Sequence, residues 1–242
     1  MDKVKQQILE EMGITLWNVR AHRSTPPTDE LTAPSLNNLA AEPDYPPSSE
    51  NVANLSDWQL LQKTVSQCQR CSLGQTRKNT VFGSGATSAH WMFIGEAPGA
   101  EEDRQGEPFV GRAGQLLTAM IVALGMQRES VFIANVLKCR PPENRDPMGE
   151  EVVQCSPYLL QQIQTVQPRM IVSMGRFAAQ ALLQTDQSIG QLRGRVHHYG
   201  ETGIPMVATY HPAYLLRSPL EKRKAWQDLQ LARETYRTIN PA

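Results

Sequence analysis

Apolar runs of strand length alternate with amphipathic segments of helix length along most of the chain. The strand-like runs are continuous, which is typical of parallel strands covered on both faces. The predicted strands are His90–Ile94, Val131–Leu137, Met170–Met174 and Met206–Tyr210. The predicted helices are Gly114–Leu124, Glu150–Thr165, Arg176–Leu183 and Pro219–Tyr236. This order favours an α/β fold, a three-layer sandwich with a central, mostly parallel sheet.

The N-terminal part of the chain has a different composition. Residues 1–23 begin with a helical pattern of apolar positions that stops at Gly13, a residue type that commonly ends helices. Six prolines follow in residues 24–50, among polar residues that cannot bury enough apolar surface to fold. We therefore expect a short partner-binding peptide at 1–23, a Pro-rich flexible linker at 24–54 and a folded domain at 55–242.

The formal charge of the chain is zero, but it is unevenly distributed. Residues 1–50 carry 8 acidic and 4 basic side chains, which leaves 16 acidic and 20 basic side chains for residues 51–242. A mildly basic body is compatible with nucleic-acid binding without establishing it. No apolar run approaches the roughly 18 residues of a membrane span, and the N-terminus lacks a secretory pattern. We expect a cytoplasmic protein with no membrane partner.

The segment Gly95–Leu117, GEAPGAEEDRQGEPFVGRAGQLL, joins the first predicted strand to the first predicted helix. Its glycines and prolines indicate a tightly bent backbone, and a loop between a strand and a helix is where open α/β sheets bind ligands. It also contains one aromatic residue, Phe109, and five acidic residues, more than a structural turn needs. The segment is therefore predicted to belong to an active site.

Two further residues, at or just after the ends of predicted strands, are expected to face the same crevice. His211 opens the segment HPAYLLR, and its imidazole can donate a hydrogen bond to an oxygen that gains negative charge. Asn135 lies at the end of another strand, where a side-chain amide can pair with both a carbonyl and an N–H group. Taken alone, His211 is more often structural, and Asn135 more often caps its own turn.

The cysteines of the chain are Cys68, Cys71, Cys139 and Cys155. The C-x-x-C pair brings two thiolates to one centre, and folding has to bring the other two. Four thiolates suit either a tetrahedral zinc ion or a [4Fe–4S] cluster. The alternative is that the last two are ordinary buried cysteines, although Cys139 lies between Lys138 and Arg140. The spacing predicts a metal or cluster site and leaves zinc and iron–sulfur open.

The motifs GEAPGAEED, PFVGRAG, NVLKCRPP and HPAYLLR, together with the four cysteines, resemble in that order the family 4 uracil-DNA glycosylases. The resemblance covers the chain from about residue 55 to residue 240. It implies a DNA glycosylase that hydrolyses the N-glycosidic bond of flipped-out deoxyuridine, releasing uracil and leaving an abasic site in base excision repair. It also implies a monomer in the bacterial cytoplasm that is nucleoid-associated when bound to uracil-containing DNA.

The resemblance also assigns roles to single residues. It implies that a [4Fe–4S] cluster is held by Cys68, Cys71, Cys139 and Cys155. The uracil site that it implies consists of the backbone of Gly95, Glu96 and Ala97 and the side chains of Phe109, Asn135 and His211. The implied DNA contacts, a wedge and a cation for phosphate, are Leu215, Leu216 and Arg217.

Glu96 and His211 are the implied catalytic residues. Breaking the N-glycosidic bond leaves negative charge on uracil, which a donor such as His211 stabilises, and positive character on the sugar. A carboxylate near the sugar can stabilise that cation or position water. Glu96 is preferred for this role, and Glu102 and Asp103 remain alternatives. The segment RPPENRDP lacks the basic, histidine-bearing loop of family variants that bind uracil-DNA covalently, so ordinary turnover is expected.

The segment Leu9–Arg20, LEEMGITLWNVR, resembles the N-terminal peptide of the psi subunit of bacterial DNA polymerase III, which docks onto the chi subunit. This resemblance implies partner-binding roles for Ile14, Trp17 and Arg20. The alternative is that the peptide packs against its own domain. For the whole chain, the alternatives to an enzyme are a non-catalytic adaptor of the same fold and a zinc-bound structural module.

Overall fold

The computed structural model describes residues 49–240 of the 242-residue chain. The expected partner-binding peptide, with Ile14, Trp17 and Arg20, lies outside the described residues, as does most of the expected linker. The first helix, α1, spans Ser49–Ser66. Regular structure therefore begins before residue 55, where the composition predicted the domain boundary.

Six strands form one sheet in the described part of the chain. They are β1 (Ser84–Gly85), β2 (Trp91–Gly95), β3 (Phe132–Asn135), β4 (Met170–Met174), β5 (Val196–Tyr199) and β6 (Ile204–Thr209). Their order is β1-β3-β2-β4-β6-β5, with parallel inner strands and antiparallel edge strands. The four inner strands are the predicted ones, so the mostly parallel sheet is confirmed.

Helices connect the strands and flank the sheet. After α1 they are α2 (Leu73–Thr76), α3 (Ala100–Gln105), α4 (Arg112–Ala123), α5 (Gly149–Val166), α6 (Arg176–Leu183), α7 (Ile189–Leu192), α8 (Pro212–Arg217) and α9 (Lys222–Ile239). Short 3₁₀ turns span Arg128–Ser130, Pro142–Asn144, Gly200–Thr202 and Pro219–Glu221. Within residues 49–240, no helix combines the length and apolar character that crossing a membrane requires.

Apolar side chains bury both faces of the sheet. On one face, Leu117 of α4 and Leu229 of α9 belong to the same core as Phe93 of β2. On the other face, Ile163 of α5 belongs to the same core as Met92, the neighbour of Phe93 in β2. Because successive strand residues point to opposite faces, both must be apolar, which explains the continuous runs. The predicted three-layer α/β sandwich is confirmed.

A smaller apolar cluster joins α1 and α2 to the segment that follows β3. It contains Leu61 and Val65 of α1, Leu73 of α2, and Leu137. Two of the four cysteines, Cys139 and Cys155, are buried in the same cluster, and Cys68 and Cys71 pack against it. The cysteines therefore lie together at the side of the sheet where β3 ends.

The inner strands end at one edge of the sheet because they are parallel. Gly95 of β2 lies opposite Asn135 of β3 in the ladder, and Thr209 ends β6 at the same edge. The loops that follow these three residues therefore meet at the carboxyl edge, where ligands bind in open α/β sheets.

Candidate active site

The loop between α3 and α4 carries Phe109 into the interior of the protein. Phe109 has a left-handed backbone, with φ of 53°, and its side chain is 6% exposed. Oε1 of Glu102 accepts hydrogen bonds from the backbone N–H groups of Val110 at 3.0 Å and Gly111 at 3.1 Å. Nη2 of Arg128 donates to the carbonyl oxygen of Phe109 at 3.3 Å. These contacts stabilise an uncommon backbone conformation for an aromatic residue.

Two acidic residues of this loop bind backbone groups. Besides Glu102, Asp103 is buried, and its Oδ1 accepts from the N–H groups of Lys78 at 2.9 Å and Asn79 at 3.3 Å. Both carboxylates therefore hold loops in place. Of the three acids considered for the sugar-facing role, Glu96 is the one with no such backbone bond among the described residues.

Gly95, Phe109 and Asn135 meet at one end of the crevice. A Cβ atom on Gly95 would lie 2.4 Å from Oδ1 of Asn135 and 2.6 Å from Cζ of Phe109, so only glycine allows this approach. Asn135 is 1% exposed, and its Oδ1 has no hydrogen-bond partner among the described residues. Leaving a buried acceptor unpaired costs about 1–3 kcal/mol. An unpaired acceptor at the wall of a crevice is available to a ligand.

His211 is held as a neutral hydrogen-bond donor. Its Nδ1 accepts a hydrogen bond from the backbone N–H of Ala213 at 3.2 Å, which places the ring proton on Nε2. Burial lowers the pKa of His211 to about 4; Arg217 also lowers it, and Glu102 acts in the opposite direction. At neutral pH the imidazole therefore presents Nε2–H without a net charge.

Glu96 directly follows β2 and is half-buried. Burial, together with the negative charge of Asp146, raises its pKa to about 7 against the opposing effect of Arg176. A carboxyl group with a pKa near neutrality changes its charge within the working pH range of most enzymes. Such perturbed groups occur often in active sites.

These residues line one cleft of about 440 Å³, within the roughly 300–1,000 Å³ that is typical of small-ligand sites. The predicted site residues that line it are Glu96, Ala97, Phe109, Asn135, His211 and Arg217. Gly95 lies behind them, against Asn135 and Phe109. The fold thus brings together residues from the loops after β2, β3 and β6.

A second cavity is lined by all four cysteines, Cys68, Cys71, Cys139 and Cys155, none of which forms a disulfide. Nη1 of Arg77 donates to Sγ of Cys139 at 3.0 Å, and the backbone N–H of Lys138 donates to Sγ of Cys155 at 3.2 Å. Burial raises the pKa of the Cys155 thiol to about 11, so a bound cation is needed to make it a thiolate at neutral pH.

The cysteine cavity offers a donor set for a metal group. Across the described residues, no set of three or more His, Cys, Asp or Glu side chains is already arranged around one metal ion. Four thiols nevertheless share one cavity, and N–H groups donate to two of the sulfurs. Four cysteines with hydrogen-bonded sulfurs are the donor set of an iron–sulfur cluster, so the residues fit that group.

Comparison with known proteins gives the family. The family model of the Uracil DNA glycosylase superfamily matches residues 82–230. This range includes every residue that lines the cleft. A type-4 uracil-DNA glycosylase from Archaeoglobus fulgidus is 45% identical over 163 residues, which are 65% of this chain and 82% of the relative. Another, from Saccharolobus solfataricus, is 43% identical over 182 residues, 72% of this chain and 84% of the relative. The chain belongs to the type-4 uracil-DNA glycosylases.

In this type-4 uracil-DNA glycosylase the three expected DNA-contact residues are placed differently. Leu215 is 1% exposed and lines an apolar groove between α4 and α9, so it cannot serve as a wedge in DNA while α8 is packed as described. Leu216 is half-buried, and Arg217 is exposed and lines the cleft. Accessible surface therefore remains at Leu216 and Arg217.

The segment RPPENRDP was considered in the sequence only for its lack of histidine, and no site role was predicted for Asn144–Asp146, which form one wall of the cleft. Asn144 has a left-handed backbone, with φ of 54°, and Nη2 of Arg176 lies 3.3 Å from Oδ2 of Asp146. Arg145 forms an ion pair with Glu151 of α5. The sequence could have indicated this wall, because the segment after β3 has a turn-forming composition. A loop in that position lies at the carboxyl edge of the sheet, where the cleft is.

Proposed function

We propose that this glycosylase flips deoxyuridine out of DNA, hydrolyses its N-glycosidic bond, releases uracil and leaves an abasic site for base excision repair. The observation that carries the proposal is the unpaired amide oxygen of Asn135 in a cleft that also contains Phe109, a neutral His211 and Glu96. Membership of the type-4 family supports the same reaction.

Asn135 is the proposed reader of the base. Its Oδ1 accepts the N3–H of uracil, and its amide N–H₂ donates to O4, a pattern that the edge of cytosine does not offer. The ring of Phe109 stacks on the flipped base, and the backbone around Gly95 to Ala97 supplies further polar contacts. Flipping costs a few kcal/mol, least for a mispaired base, which favours uracil opposite guanine.

His211 is the proposed group that stabilises the leaving base. As the glycosidic bond breaks, the electron pair stays on uracil and negative charge develops at O2. The Nε2–H of His211 donates to that oxygen, and a well-placed donor of this kind lowers a barrier by about 2.7–4 kcal/mol. Because the imidazole is already neutral, it needs no proton from solvent before the reaction.

Glu96 is the proposed carboxylate near the sugar. In its ionised form it stabilises the positive character of the sugar or orients the attacking water. Water then adds to C1′ and loses a proton to solvent, and the departing uracil anion takes a proton from solvent. The pKa of about 7 makes the ionised fraction of Glu96 dependent on pH near neutrality. The proposed role of Glu96 can therefore be tested by the pH dependence of the reaction rate.

An oligonucleotide with a single deoxyuridine tests the proposed function. After incubation with the protein, alkali should cut the strand at the deoxyuridine and leave a matched thymidine oligonucleotide intact. A protein that retains its fold but yields no scission would be the non-catalytic adaptor instead. Because a contaminating glycosylase could mimic the activity, Asn135→Ala purified in the same way is the control.

We further propose that Arg217 contacts a DNA phosphate and that Leu216 contacts the duplex beside the flipped nucleotide. Arg217 is exposed at the rim of the cleft, which is where the backbone of a flipped nucleotide has to pass. Arg217→Gln should weaken DNA binding for all sequences and reduce the slope of log K against log salt by about 1. An unchanged salt dependence of DNA binding in Arg217→Gln would refute the proposed phosphate contact.

We propose that the four cysteines hold a [4Fe–4S] cluster. When bound, the cluster would cross-link the α1–α2 region, the segment after β3 and α5, and supply structural stability. The support is a shared cavity with N–H donors to two sulfurs. Protein purified without oxygen should contain four irons per chain and be coloured. Stoichiometric zinc in colourless protein would favour the structural zinc alternative.

We propose that residues 1–23 dock onto the chi subunit of DNA polymerase III, with Ile14, Trp17 and Arg20 as contacts. The support is the resemblance to the psi peptide, because tethering through a Pro-rich linker raises the local concentration of an enzyme at its site of work. A synthetic 1–23 peptide should bind chi, and Trp17→Ala should weaken binding. No binding at micromolar concentrations would refute the docking.

We also propose that the protein is a monomer, which light scattering can test.

A further inference from the structure

The ammonium group of Lys138 lies inside the protein. The residue is 1% exposed, and Nζ donates hydrogen bonds to the carbonyl oxygen of Asn135 at 2.7 Å and to Oε1 of Gln162 at 2.6 Å. Gln162 is fully buried, and its Nε2 donates to the carbonyl oxygen of Phe82 at 2.9 Å. Lys138 takes part in no ion pair among the residues that the structure describes.

A buried ammonium whose acceptors are both neutral is costly, because removal from water is only partly offset by hydrogen bonds. A methionine has a similar length and would fill the same space without this cost. The sulfurs of Cys139 and Cys155 offset part of this cost when they carry negative charge, because Lys138 lines the same cavity. They do not account for the direction of Nζ, which bonds to Asn135 and Gln162 rather than to a sulfur.

The two carbonyl groups bridged by this network are related by the sheet. β1 pairs with β3 at Ser84–Ile133 and Gly85–Phe132 and then ends. Continuing that register would place Phe82 opposite Asn135. Instead, Lys138 and Gln162 stand between the two backbones and bind one carbonyl each. The ammonium thus supplies the donor that a longer β1 would have given to Asn135.

The backbone of Asn135 is fixed from the other side by β2. Gly95 is its ladder partner, and the next residue, Val136, donates its N–H to the carbonyl oxygen of Gly95 at 2.9 Å. The side-chain amide of Asn135 faces the cleft with its Oδ1 unpaired. The contacts on both sides restrain the backbone of Asn135, and with it the point from which the side chain starts.

We propose that Lys138 is a positioning residue for base recognition. It holds the backbone of Asn135 so that the side-chain amide is aligned with N3–H and O4 of uracil. The inference rests on the proposed function, because it gives Lys138 a role through the amide that reads the base. It extends that function to a residue that has no contact with substrate.

The test compares Lys138→Met with Gln162→Met in the full chain. Both variants disrupt the same buried network, but only Lys138→Met removes the bond to Asn135. Lys138→Met should lower the single-turnover rate of uracil release by about 10- to 100-fold, the scale expected for a small misplacement of a recognition group. Gln162→Met should lower the unfolding temperature and keep the rate within about twofold. Iron content and circular dichroism report whether each variant is intact.

A double-mutant cycle separates positioning from a general structural role. In an Asn135→Ala background, Lys138→Met should cause no further loss beyond about twofold, because the group it positions is gone. Lys138→Arg, which retains a cationic donor, should keep more of the rate than Lys138→Met. Multiplicative losses in the double variant, or equal rate losses in Lys138→Met and Gln162→Met, would overturn the proposal.

Two controls keep the result decisive. If Lys138→Met does not fold, Lys138→Gln takes its place, since its shorter neutral side chain falls short of the Asn135 carbonyl but can still bond within the network. A wild-type protein that releases no uracil would refute the proposed function itself. An active wild type with an equally fast Lys138 variant would refute only the positioning role.

Discussion

The rings of Phe109 and His211 lie side by side, with centroids 5.6 Å apart and planes inclined by 33°. They come from loops after different strands, β2 and β6, and meet because those strands end at the same edge of the sheet. A base that stacks on Phe109 therefore has the Nε2–H of His211 close to its edge. In the proposed mechanism, one corner of the cleft therefore provides both stacking and charge stabilisation.

Replacing His211 tests that corner. His211→Ala removes the neutral donor, and we expect the single-turnover rate of uracil release to fall by about 10²–10³. Binding of uracil-containing DNA should change little, because the donor matters most when charge develops on the base. Rapid-quench kinetics together with fluorescence anisotropy separate the two quantities. A rate within threefold of wild type corresponds to a change of about 0.7 kcal/mol in the activation free energy. Such a result would show that His211 does not stabilise the transition state.

The ionisation of Glu96 should set the acid limb of the pH–rate profile. Its carboxylate is the active form, so kcat/KM should rise as pH increases through about 7 and level off above it. His211, with a pKa of about 4, stays neutral over the same range and adds no limb near neutrality. Glu96→Gln should be slower by about 10²–10⁴ and lose the limb. The rate is measured between pH 5 and 9, which extends about two pH units on either side of the expected pKa.

Asp146 and Arg176 should move that limb in opposite directions. Asp146→Asn removes a negative charge that raises the pKa of Glu96, so the limb should shift to lower pH. Arg176→Gln should shift it to higher pH. Both residues are exposed, so each shift should stay below about one pH unit. Glu150→Gln, which makes the same charge change on the exposed start of α5, is the control that should leave the limb in place.

A methyl group at position 95 should block the base site. In Gly95→Ala, the Cβ would lie 2.4 Å from Oδ1 of Asn135 and 2.6 Å from Cζ of Phe109, so one of these groups must move. We expect a rate loss of about 10² or more. Gly149→Ala is the matched control, since a Cβ there meets nothing within 4 Å. Equal activities of the two variants would show that this contact does not limit the reaction.

Most of the fold could be predicted from the sequence because the inner strands are buried on both faces. Phe93 and Met92 are neighbours in β2 and pack in different layers, so both had to be apolar and the run was visible. The edge strands lacked this signal. β1 has two residues, and β5, with the sequence VHHY, is only half-buried.

The site could be predicted where a residue lies at the carboxyl end of an inner strand, as Glu96 just after β2 and Asn135 at the end of β3 do. Distances between loops could not be predicted, because they depend on the packing of whole helices. From the sequence Glu96 was preferred, with Glu102 and Asp103 as alternatives, and only the structure has the latter two bound to backbone N–H groups. The burial of Leu215 and the approach of Asp146 to the cleft likewise follow from tertiary packing.

The most direct measurement is the amount of free uracil released from DNA by wild-type protein and by Asn135→Ala. Mass spectrometry of a duplex with one isotopically labelled deoxyuridine counts the base itself rather than a later strand break. Wild type should release one labelled uracil per duplex, and Asn135→Ala should release it at a rate lower by about 10² or more while retaining its iron and fold. Equal release by the two proteins would contradict the assignment of the cleft as the uracil site.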